Sequence, residues 1–256
     1  MLSRNQASRV IALHHRRGRE KNGEFLVDGV RLAEDLLDSG IVPRLALISP
    51  SLEDTGRGRD LARRLRARMA TLDVTDAELA RLATTETTQG VLVVAAIPRP
   101  VLADAPIPAG SLVVVLDAVQ DPGNFGTIVR SADAFGAALI AALPGTVDPW
   151  NPKVVRSAAG SSLRVPIIAT TLESLLPHLR AHGCALFGAD MSGESVEDVD
   201  GGGSVALALG NEGAGLGGPV RAACDRLLSV PIRGAAESLN VGVAAGILMY
   251  LLTRKR

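Results

Sequence analysis

The sequence predicts an α/β protein built from two parts, and three observations support that prediction. The chain has 256 residues, 47% of them hydrophobic, which is enough to bury one large core or two modest ones. From Ser111 onward, apolar runs without alternation are separated by helical patterns, as in a parallel sheet that is covered on both faces. A proline-rich stretch at residues 98–110 marks a boundary before that half.

For the first part, the sequence pattern predicts a small domain over residues 1–97. Helical patterns are predicted at residues 3–17, from Gly29 through Leu37, and at 59–69. Short strands are predicted at residues 24–28, 45–49 and 91–97. Residues 98–110 then form the linker.

In the second part, residues 111–256, the sequence pattern predicts repeated strand–helix units. Its strands are predicted at residues 112–116, 138–142, 165–169, 185–188 and 205–209, and residues 189–203 receive no assignment. The apolar run 241–252 is broken by glycines and too short to span a bilayer, so it predicts a buried core helix. We therefore expect no membrane association.

Charge is balanced overall but unevenly distributed, with 27 basic and 27 acidic residues. A first basic cluster lies before residue 22, where Glu20 is the single acid, and it is the stronger candidate for a phosphate-binding surface. A second cluster comprises Arg57, Arg59, Arg63, Arg64, Arg66 and Arg68. For this second cluster, a solvated helix face is an equally good interpretation.

Several other site classes find little support in the sequence. Cys184 and Cys224 form no metal or redox motif, which favours a reducing cytoplasm, and the opening residues lack the apolar segment of a secretory signal. An arginine-rich transit peptide is the weaker alternative, because the stretch runs unbroken into the predicted domain. The four histidines show neither triad nor metal spacing, so no metal is expected.

A polar, turn-rich loop follows the predicted strand at 112–116. Asp121-Pro-Gly-Asn124 predicts a turn and a helix start, and simple capping accounts for Asp121 and Asn124 on their own. Arg130 lies further along that helix among apolar neighbours, so we expect its guanidinium to be held near a buried surface. There it needs an anionic partner, and a phosphate matches its planar shape.

Two more such loops occur later in the chain. Gly210-Asn211-Glu212-Gly213 follows a predicted strand, and its glycines would let a ligand approach the backbone closely. A flexible surface loop is the alternative, and the spacing does not match a dinucleotide-binding glycine loop. In the third loop, Ser238 and Asn240 precede the final apolar helix, where Ser238 would also serve as a plain N-cap.

In this order and at this spacing, the three loops resemble the three motifs of the SpoU family, also called the TrmH family, among the knotted SPOUT methyltransferases. The matching stretches are residues 117–132, 209–213 and 231–241. Residues 19–32 and 84–90 resemble the beginning and end of the substrate-binding domain that is often fused ahead of SpoU catalytic domains. The resemblance covers nearly the whole chain.

The resemblance implies a fold and a reaction. The fold would be a small ribosomal-protein-like α/β RNA-binding domain followed by a parallel-sheet SPOUT domain with a trefoil knot. The reaction would be methylation of an RNA ribose 2′-hydroxyl with S-adenosylmethionine and no metal, in a homodimer with its site close to the subunit interface. Large-subunit ribosomal RNA is favoured over transfer RNA, because the fused domain resembles that of rRNA-modifying members.

The resemblance also implies roles for individual residues. The catalytic set would be Asn124, Arg130, Glu212, Ser238 and Asn240. The methyl donor would be held by Leu209, Gly210, Asn211, Gly213, Ile232, Ser238 and Leu239, and RNA would be bound by Arg16, Arg17, Arg19, Lys21 and Arg31. A guanidinium with a pKa above ~12 is a poor base, so we expect Arg130 to bind the neighbouring phosphate and stabilise the forming alkoxide.

Three alternative functions remain open on the sequence. A transfer RNA ribose methyltransferase would carry the same motifs. A non-catalytic RNA-binding or ribosome-assembly protein on this scaffold would be expected to have damaged motifs, which are intact here. A small-molecule enzyme with a nucleotide-binding α/β fold would need an early glycine loop followed by a ribose-binding acid, a pattern that we do not find.

Overall fold

The computed structural model describes residues 2–199 and 202–254 and divides into two compact units. Unit 1 contains the residues up to Pro98 together with Asp148–Leu163. Unit 2 contains Arg99–Val147 and the residues from Arg164 onward. The predicted domain bounds, 1–97 and 111–256 around the 98–110 linker, remain a proposal and differ from this division in the placement of residues 148–163.

Unit 1 is a four-stranded sheet with helices packed on it. Its strands are β1 (Glu24–Asp28), β2 (Pro43–Ile48), β3 (Ala70–Asp73) and β4 (Val91–Ala96), in the order β1-β4-β2-β3. β4 runs antiparallel to both β1 and β2, whereas β2 and β3 are parallel. The helices from the first part of the chain are α1 (Arg4–Ala12), α2 (Arg16–Asn22), α3 (Val30–Asp38), α4 (Gly56–Arg68) and α5 (Asp76–Leu82).

The single helix predicted at residues 3–17 is wrong, because the chain turns a corner between α1 and α2. His15 has an extended backbone (φ −105°, ψ 143°) and precedes the first residue of α2. Gly18 explains how closely the two helices meet, since a Cβ at this position would lie 1.9 Å from the carbonyl oxygen of Ala12. Only glycine therefore fits this corner without a shift of the backbone.

Residues 148–163 belong to the core of unit 1, although their sequence lies among the strands of unit 2. They form a short helix, α7 (Pro152–Ser157), which packs on β1. The Trp150 ring lies 4.6 Å from the ring of Phe25, centroid to centroid. Val155 and Leu163 join the same buried cluster. The hydrophobic core of unit 1 is thus assembled from two distant parts of the chain.

Unit 2 contains a six-stranded sheet that is parallel throughout, as predicted. Its strands are β5 (Leu112–Leu116), β6 (Ala137–Ala142), β7 (Ile167–Ala169), β8 (Ala185–Ser195), β9 (Val205–Leu209) and β10 (Arg226–Ser229), in the order β10-β8-β9-β5-β6-β7. β5 and β9 are neighbours at the centre, and every residue of both is buried. Continuous apolar runs in these strands follow from burial on both faces.

The helices of unit 2 are α6 (Pro122–Ala134), α8 (Leu172–Ala181), α9 (Gly218–Ala223) and α10 (Val241–Thr253). α10 confirms the predicted core helix at residues 241–252, and it packs against α6. The unassigned stretch after Gly188 continues β8 as far as Ser195, beside β10. Among the described residues, no helix has the length and apolar character needed to cross a membrane.

Candidate active site

The site lies where two central strands of unit 2 end. The loops after β5 and β9 leave the same edge of the sheet from adjacent strands, and the chain continues from β5 to β6 on the opposite side from β9. In open parallel sheets this switch point is the usual ligand-binding crevice. The topology therefore brings together residues that lie about ninety positions apart in sequence.

The first loop forms the predicted turn and helix start. Asp121 is the N-cap of α6, and its Oδ1 accepts a hydrogen bond from the Asn124 amide at 2.8 Å. Because Asp121 does the capping, the side chain of Asn124 is free to point toward other loops. The capping prediction is thus confirmed for Asp121 alone.

Glu212 in the second loop ties the two loops together. Its carboxylate accepts hydrogen bonds from the backbone amides of Gln120 (3.3 Å) and Asp121 (3.1 Å) and from Asn124 Nδ2 (3.1 Å). Partial burial alone would raise the pKa of Glu212, but the hydrogen bonds from Asn124 and from backbone amides outweigh it, and the pKa lies below its ordinary value. An ionised Glu212 therefore fixes the position of Asn124.

Asn124 is also joined to the third loop. Asn240 Nδ2 donates to Asn124 Oδ1 at 2.9 Å, so Glu212, Asn124 and Asn240 form one continuous chain of side-chain hydrogen bonds. Asn240 is also the N-cap of α10, because its Oδ1 accepts from the amides of Gly242 (2.9 Å) and Val243 (3.3 Å). The alternative in which Ser238 caps this helix is wrong. Ser238 is exposed, and the structure gives it no hydrogen bond to the described residues.

Asn211 shapes the second loop through its side chain. Its Nδ2 donates to the Ala118 carbonyl, and its Oδ1 accepts from the amides of Gly213 and Ala214, each at 3.0 Å. Gly210 lets this loop close, since a Cβ there would lie 2.2 Å from the carbonyl carbon of Gly215. The side chain of Asn211 is therefore used within the protein, and its backbone N–H and C=O are bonded to Gly215, each at 2.9 Å, which closes the loop.

The second and third loops, together with residues 189–192, surround a cleft of about 680 Å³, within the usual size range of small-molecule sites. Seven predicted donor-binding residues line it: Leu209, Gly210, Asn211, Gly213, Ile232, Ser238 and Leu239. Glu212 lines it too, whereas Asn124 and Asn240 are not among the lining residues. Among the described residues of the lining, three are acids (Asp190, Glu212 and Glu237) and none is lysine or arginine.

The chemistry of this lining fits S-adenosylmethionine. The half-exposed apolar side chains of Ile232 and Leu239 offer a surface for an adenine ring, and the glycine-rich backbone of residues 210–215 offers hydrogen-bonding groups for its edge. Two of the three lining carboxylates, Glu212 and Glu237, form no ion pair with a described residue, which suits a positively charged sulfonium, whereas Asp190 is paired with Arg221. The cleft is therefore compatible with the predicted methyl donor in size, polarity and charge.

Arg130 differs from its prediction. It was expected near a buried surface, but its side chain is exposed, and it makes no hydrogen bond or ion pair with any residue that the structure describes. It also lies outside the cleft lining. The reason is its position on α6, where Ile128 and Val129 face the core and Arg130 turns to solvent.

Arg19 was predicted to bind RNA, and the structure corrects this. Its guanidinium is only 2% exposed and donates to Asp148 Oδ2 at 2.8 and 2.6 Å, and to the carbonyls of Leu13 and His14. Four of its five N–H donors are therefore used inside unit 1. The other four predicted residues, Arg16, Arg17, Lys21 and Arg31, are exposed, although Arg16 forms an ion pair with Glu20.

The second arginine cluster is an internally paired surface. Four of its members, Arg57, Arg63, Arg64 and Arg66, form ion pairs with carboxylates of unit 1, and Arg59 and Arg68 donate to backbone carbonyls. The acids come from distant sequence positions such as Glu34 and Asp38, so a count within the cluster missed them. This pairing favours the solvated-face interpretation of the cluster.

Two acidic residues near the site were not predicted. Asp117 Oδ2 accepts from the Gly217 amide at 2.7 Å, which joins the end of β5 to the start of α9. Asp190 lines the cleft and is paired with Arg221, which also donates to Ser192 Oγ at 3.0 Å. Asp190 lies in a stretch without a recognisable motif, so only the extension of β8 reveals it. Within the part of the chain that the structure describes, no three His, Cys, Asp or Glu side chains are grouped as metal ligands.

Comparison with protein families identifies both parts of the chain. Residues 111–250 match the model of the SpoU rRNA methylase family, and residues 5–93 match the MRM3-like substrate binding domain. The first match contains residues 148–163, which fold with unit 1.

Relatives with assigned names cover almost the whole chain. The 23S rRNA (guanosine(2553)-2′-O)-methyltransferase RlmP of Bacillus subtilis is 36% identical over 94% of this chain and 92% of its own length. The 23S rRNA (uridine(2479)-2′-O)-methyltransferase of Streptomyces viridochromogenes is 33% identical over 95% of this chain and 87% of its own length.

Solved structures are similar over the same extent. The SpoU methyltransferase AviRb from S. viridochromogenes, in complex with the cofactor AdoMet, matches with a TM-score of 0.91 and 32% identity over 99% of this chain and 98% of that one. An AdoMet-bound rRNA methyltransferase from Sinorhizobium meliloti matches with a TM-score of 0.89 and 28% identity over 100% and 97%.

Proposed function

Because the chain belongs to the SpoU rRNA methylase family, we propose that it methylates ribosomal RNA of the large subunit at a ribose 2′-hydroxyl. It is an RNA 2′-O-methyltransferase that uses S-adenosylmethionine as the methyl donor. The observation that carries this function is that the second and third motif loops line one cleft, and that the first loop is bonded to both of them through the Glu212–Asn124–Asn240 chain of hydrogen bonds.

The chemistry requires alignment and removal of a proton. The bound donor supplies an electrophilic methyl group on a sulfonium. As the 2′-oxygen forms its bond to the methyl carbon, the carbon–sulfur bond breaks and the hydroxyl proton must leave. Holding the hydroxyl in line with the methyl group supplies ~7–11 kcal/mol of the barrier in well-oriented reactions.

We assign the positioning of the hydroxyl to the polar groups around the cleft. Ser238 contributes a hydroxyl at the cleft wall that is not used by other described residues. Asn124 and Asn240 are hydrogen-bonded to each other. Glu212 fixes Asn124, and its two carboxylate oxygens are already occupied by hydrogen bonds from Gln120, Asp121 and Asn124. Glu212 is in this proposal a positioning residue that also contributes negative charge near the sulfonium.

Arg130 is proposed to act on the RNA. Its exposed guanidinium has no partner among the described residues, so it is available for the phosphate next to the reacting ribose. In that place it would stabilise the forming alkoxide. The donor itself would be held by Leu209, Gly210, Asn211, Gly213, Ile232, Ser238 and Leu239, through backbone groups and apolar contact.

We further propose that unit 1 binds RNA through exposed cations. Arg16, Arg17, Lys21 and Arg31 remain candidates, and Arg19 is withdrawn because it is buried. Neutralisation of phosphates by such residues gives most of the salt-dependent affinity for nucleic acid. This role agrees with the match of residues 5–93 to a substrate binding domain.

A homodimer is proposed on the surface of α10. Val243, Ile247 and Tyr250 follow each other at helical spacing on one face, and Val243 and Tyr250 are 50% and 54% exposed. The Tyr250 ring lies 6.0 Å from that of Phe135, the C-cap residue of α6, which widens the apolar stripe. A second copy packing there would place its own site close to the interface. A stable, active monomer in a mass measurement would refute this proposal.

The trefoil knot and the cytoplasmic location are proposed on the same basis of family membership. The knot is supported by the path of the chain: β10 lies at the outer edge of the sheet, whereas α10 packs against α6 beside the centre. The connecting residues line the cleft together with the loop after β9. The location follows from a ribosomal RNA substrate, which is found where ribosomes are made.

The proposed substrate class is tested by methyl transfer. Labelled methyl from S-adenosylmethionine is offered with unmodified large-subunit rRNA and, separately, with tRNA. Label in rRNA alone is the expected result. Label in tRNA alone would identify tRNA as the substrate. Donor binding without label in either RNA would indicate a ribonucleoprotein particle as the substrate.

A further inference from the structure

We propose that Lys153 and Arg156 of α7, together with the loop at residues 83–88, form an RNA phosphate-binding surface on unit 1. In the sequence, α7 lies between strands of unit 2 and inside the span that matches the methylase family. In the structure, it folds with unit 1. The proposal rests on the RNA methyltransferase function above and adds an RNA-binding element to it. Neither residue was predicted from the sequence.

Three elements of unit 1 are tied to one another in pairs. The α1–α2 corner contacts the end of α5, where the His14 Nε2 lies 2.9 Å from the Leu82 carbonyl oxygen. α7 contacts the loop that follows, because Arg156 Nη1 donates to the Thr84 carbonyl at 3.2 Å. The corner contacts the segment that leads into α7 through Arg19, which binds Asp148 as well as the carbonyls of Leu13 and His14. The corner, the loop and α7 are therefore neighbours.

Cations on these elements lack carboxylate partners. Arg156 and Lys153 are exposed, and the single described bond of Arg156 is to a neutral carbonyl. Arg17 and Lys21 on α2 are likewise exposed, and no described acid pairs with them. This differs from α4, where four arginines are paired with carboxylates.

Acids near this surface are few and mostly occupied. Asp28 accepts hydrogen bonds from the Thr84 amide (2.7 Å), from Thr84 Oγ1 (2.9 Å) and from Thr85 Oγ1 (3.2 Å). Glu20 is paired with Arg16, which leaves Glu86 as the exposed acid of the loop. The four cations thus outnumber the unpaired acid, and threonine hydroxyls lie between them.

An RNA backbone matches this composition better than a protein surface does. Unpaired Lys and Arg side chains interspersed with hydroxyls are the groups that commonly contact phosphate oxygens. The surface has no exposed large apolar residue to anchor a protein partner, among those described on α7 and the loop. The buried Arg19–Asp148 pair holds the start of α7 in place, so the cations are presented on a fixed element.

The test compares two variants of the full-length protein with equal loss of charge. Lys153→Gln with Arg156→Gln removes two cations of the proposed surface, and Arg63→Gln with Arg66→Gln removes two paired cations of α4. Binding to an unmodified transcript of large-subunit rRNA is measured at several salt concentrations. We expect the first variant to bind roughly tenfold more weakly or worse at about 0.1 M salt, with the slope of log K against log salt reduced by roughly 1.4–1.8. The α4 variant is expected to keep the slope of the unaltered protein.

Equal effects of the two variants, or an unchanged slope in the first, would overturn the proposal and assign the surface to another partner. Because Arg156→Gln also removes the bond to Thr84, Lys153→Gln alone serves as the second variant, and it should reduce the slope by roughly half as much. S-adenosylmethionine binding should be unchanged in all of them. RNA binding is measured without turnover, so an unaltered protein that binds RNA but transfers no methyl to RNA or to a ribonucleoprotein particle would refute the proposed function and leave this surface standing.

Discussion

The carboxylate of Glu212 and the side-chain amide of Asn124 are joined by a hydrogen bond of 3.1 Å, although 88 residues separate them in sequence. The bond holds the loop after β9 against the start of α6. Asn124 in turn accepts a hydrogen bond from Asn240, which caps α10. A perturbation at Glu212 is therefore expected to reach all three motif loops.

Replacing Glu212 with Gln should lower turnover by roughly 10- to 100-fold at saturating donor and RNA. The amide group of Gln would face the backbone N–H donors of Gln120 or Asp121, so hydrogen bonds that hold the two loops together are lost, each at a net cost of about 0.5–1.5 kcal/mol. Methyl transfer is measured against the Asp190→Asn variant, which alters another acid of the cleft wall but leaves the three loops joined. Equal turnover of Glu212→Gln and the unaltered protein would refute the positioning role.

The lowered pKa of Glu212 predicts how stability depends on pH. Since the pKa in the folded protein lies below the ordinary value of 4.5, the carboxylate stabilises the fold above pH 4.5, and this stabilisation is lost as the pH falls through the folded-state pKa. The difference in unfolding free energy between the unaltered protein and Glu212→Gln should be constant above about pH 5.5 and shrink below pH 4.5. Denaturant unfolding from pH 3 to 7 measures it, and a difference that grows toward low pH would contradict the assigned direction.

Arg130→Ala should reduce turnover by roughly 100- to 1000-fold, as expected for loss of a group that stabilises developing negative charge. The side chain is exposed and unpaired among the described residues, so the melting temperature should change by no more than about 1–2 °C. Arg130→Lys keeps the charge but not the planar fork and should restore little activity. Retention of most turnover by the Lys variant would exclude a two-point grip on phosphate.

Gly210→Ala should weaken donor binding by roughly tenfold or more. The added Cβ would lie 2.2 Å from a backbone carbon of Gly215, so the loop after β9 must open. Gly218→Ala is the matched control, because nothing lies within 4 Å of a Cβ there. Calorimetric titration with S-adenosylmethionine measures both, and normal affinity in Gly210→Ala would show that this loop does not shape the donor site.

Arg19→Met should destabilise the protein by about 3–5 kcal/mol, because it leaves Asp148 without its charged partner at a largely buried position. Arg63→Ala breaks an exposed pair with Asp60 and should cost no more than about 1 kcal/mol. Urea unfolding compares the two. Similar costs would mean that the Arg19–Asp148 pair adds no more stability to unit 1 than an exposed ion pair does.

Local patterns in the sequence predicted the secondary structure best where burial is continuous. The apolar runs at residues 112–116 and 205–209 coincide with β5 and β9, because central strands of a parallel sheet carry apolar residues on both faces. β3 and β10 were missed, since each has only four residues and includes exposed positions. Short edge strands leave little periodicity to detect.

Long-range contacts decided the predictions that were wrong. Arg19 appeared to belong to a basic surface because Asp148 lies 129 residues away. Ser238 and Asn240 are both good capping residues, and only the position of the first helical turn separates them. The three motif loops were recognised from their residues, but the chain of bonds from Glu212 to Asn240 depends on the order of strands in the sheet.

The most direct test of the central claim locates the transferred methyl group on the RNA. Unmodified large-subunit rRNA is treated with the protein and S-adenosylmethionine, then subjected to alkaline hydrolysis, which cleaves every linkage that has a free 2′-hydroxyl. We predict one linkage that becomes resistant, and we predict that it stays cleavable after treatment with Arg130→Ala. Methyl incorporation without any resistant linkage would place the methyl on a base and contradict the account.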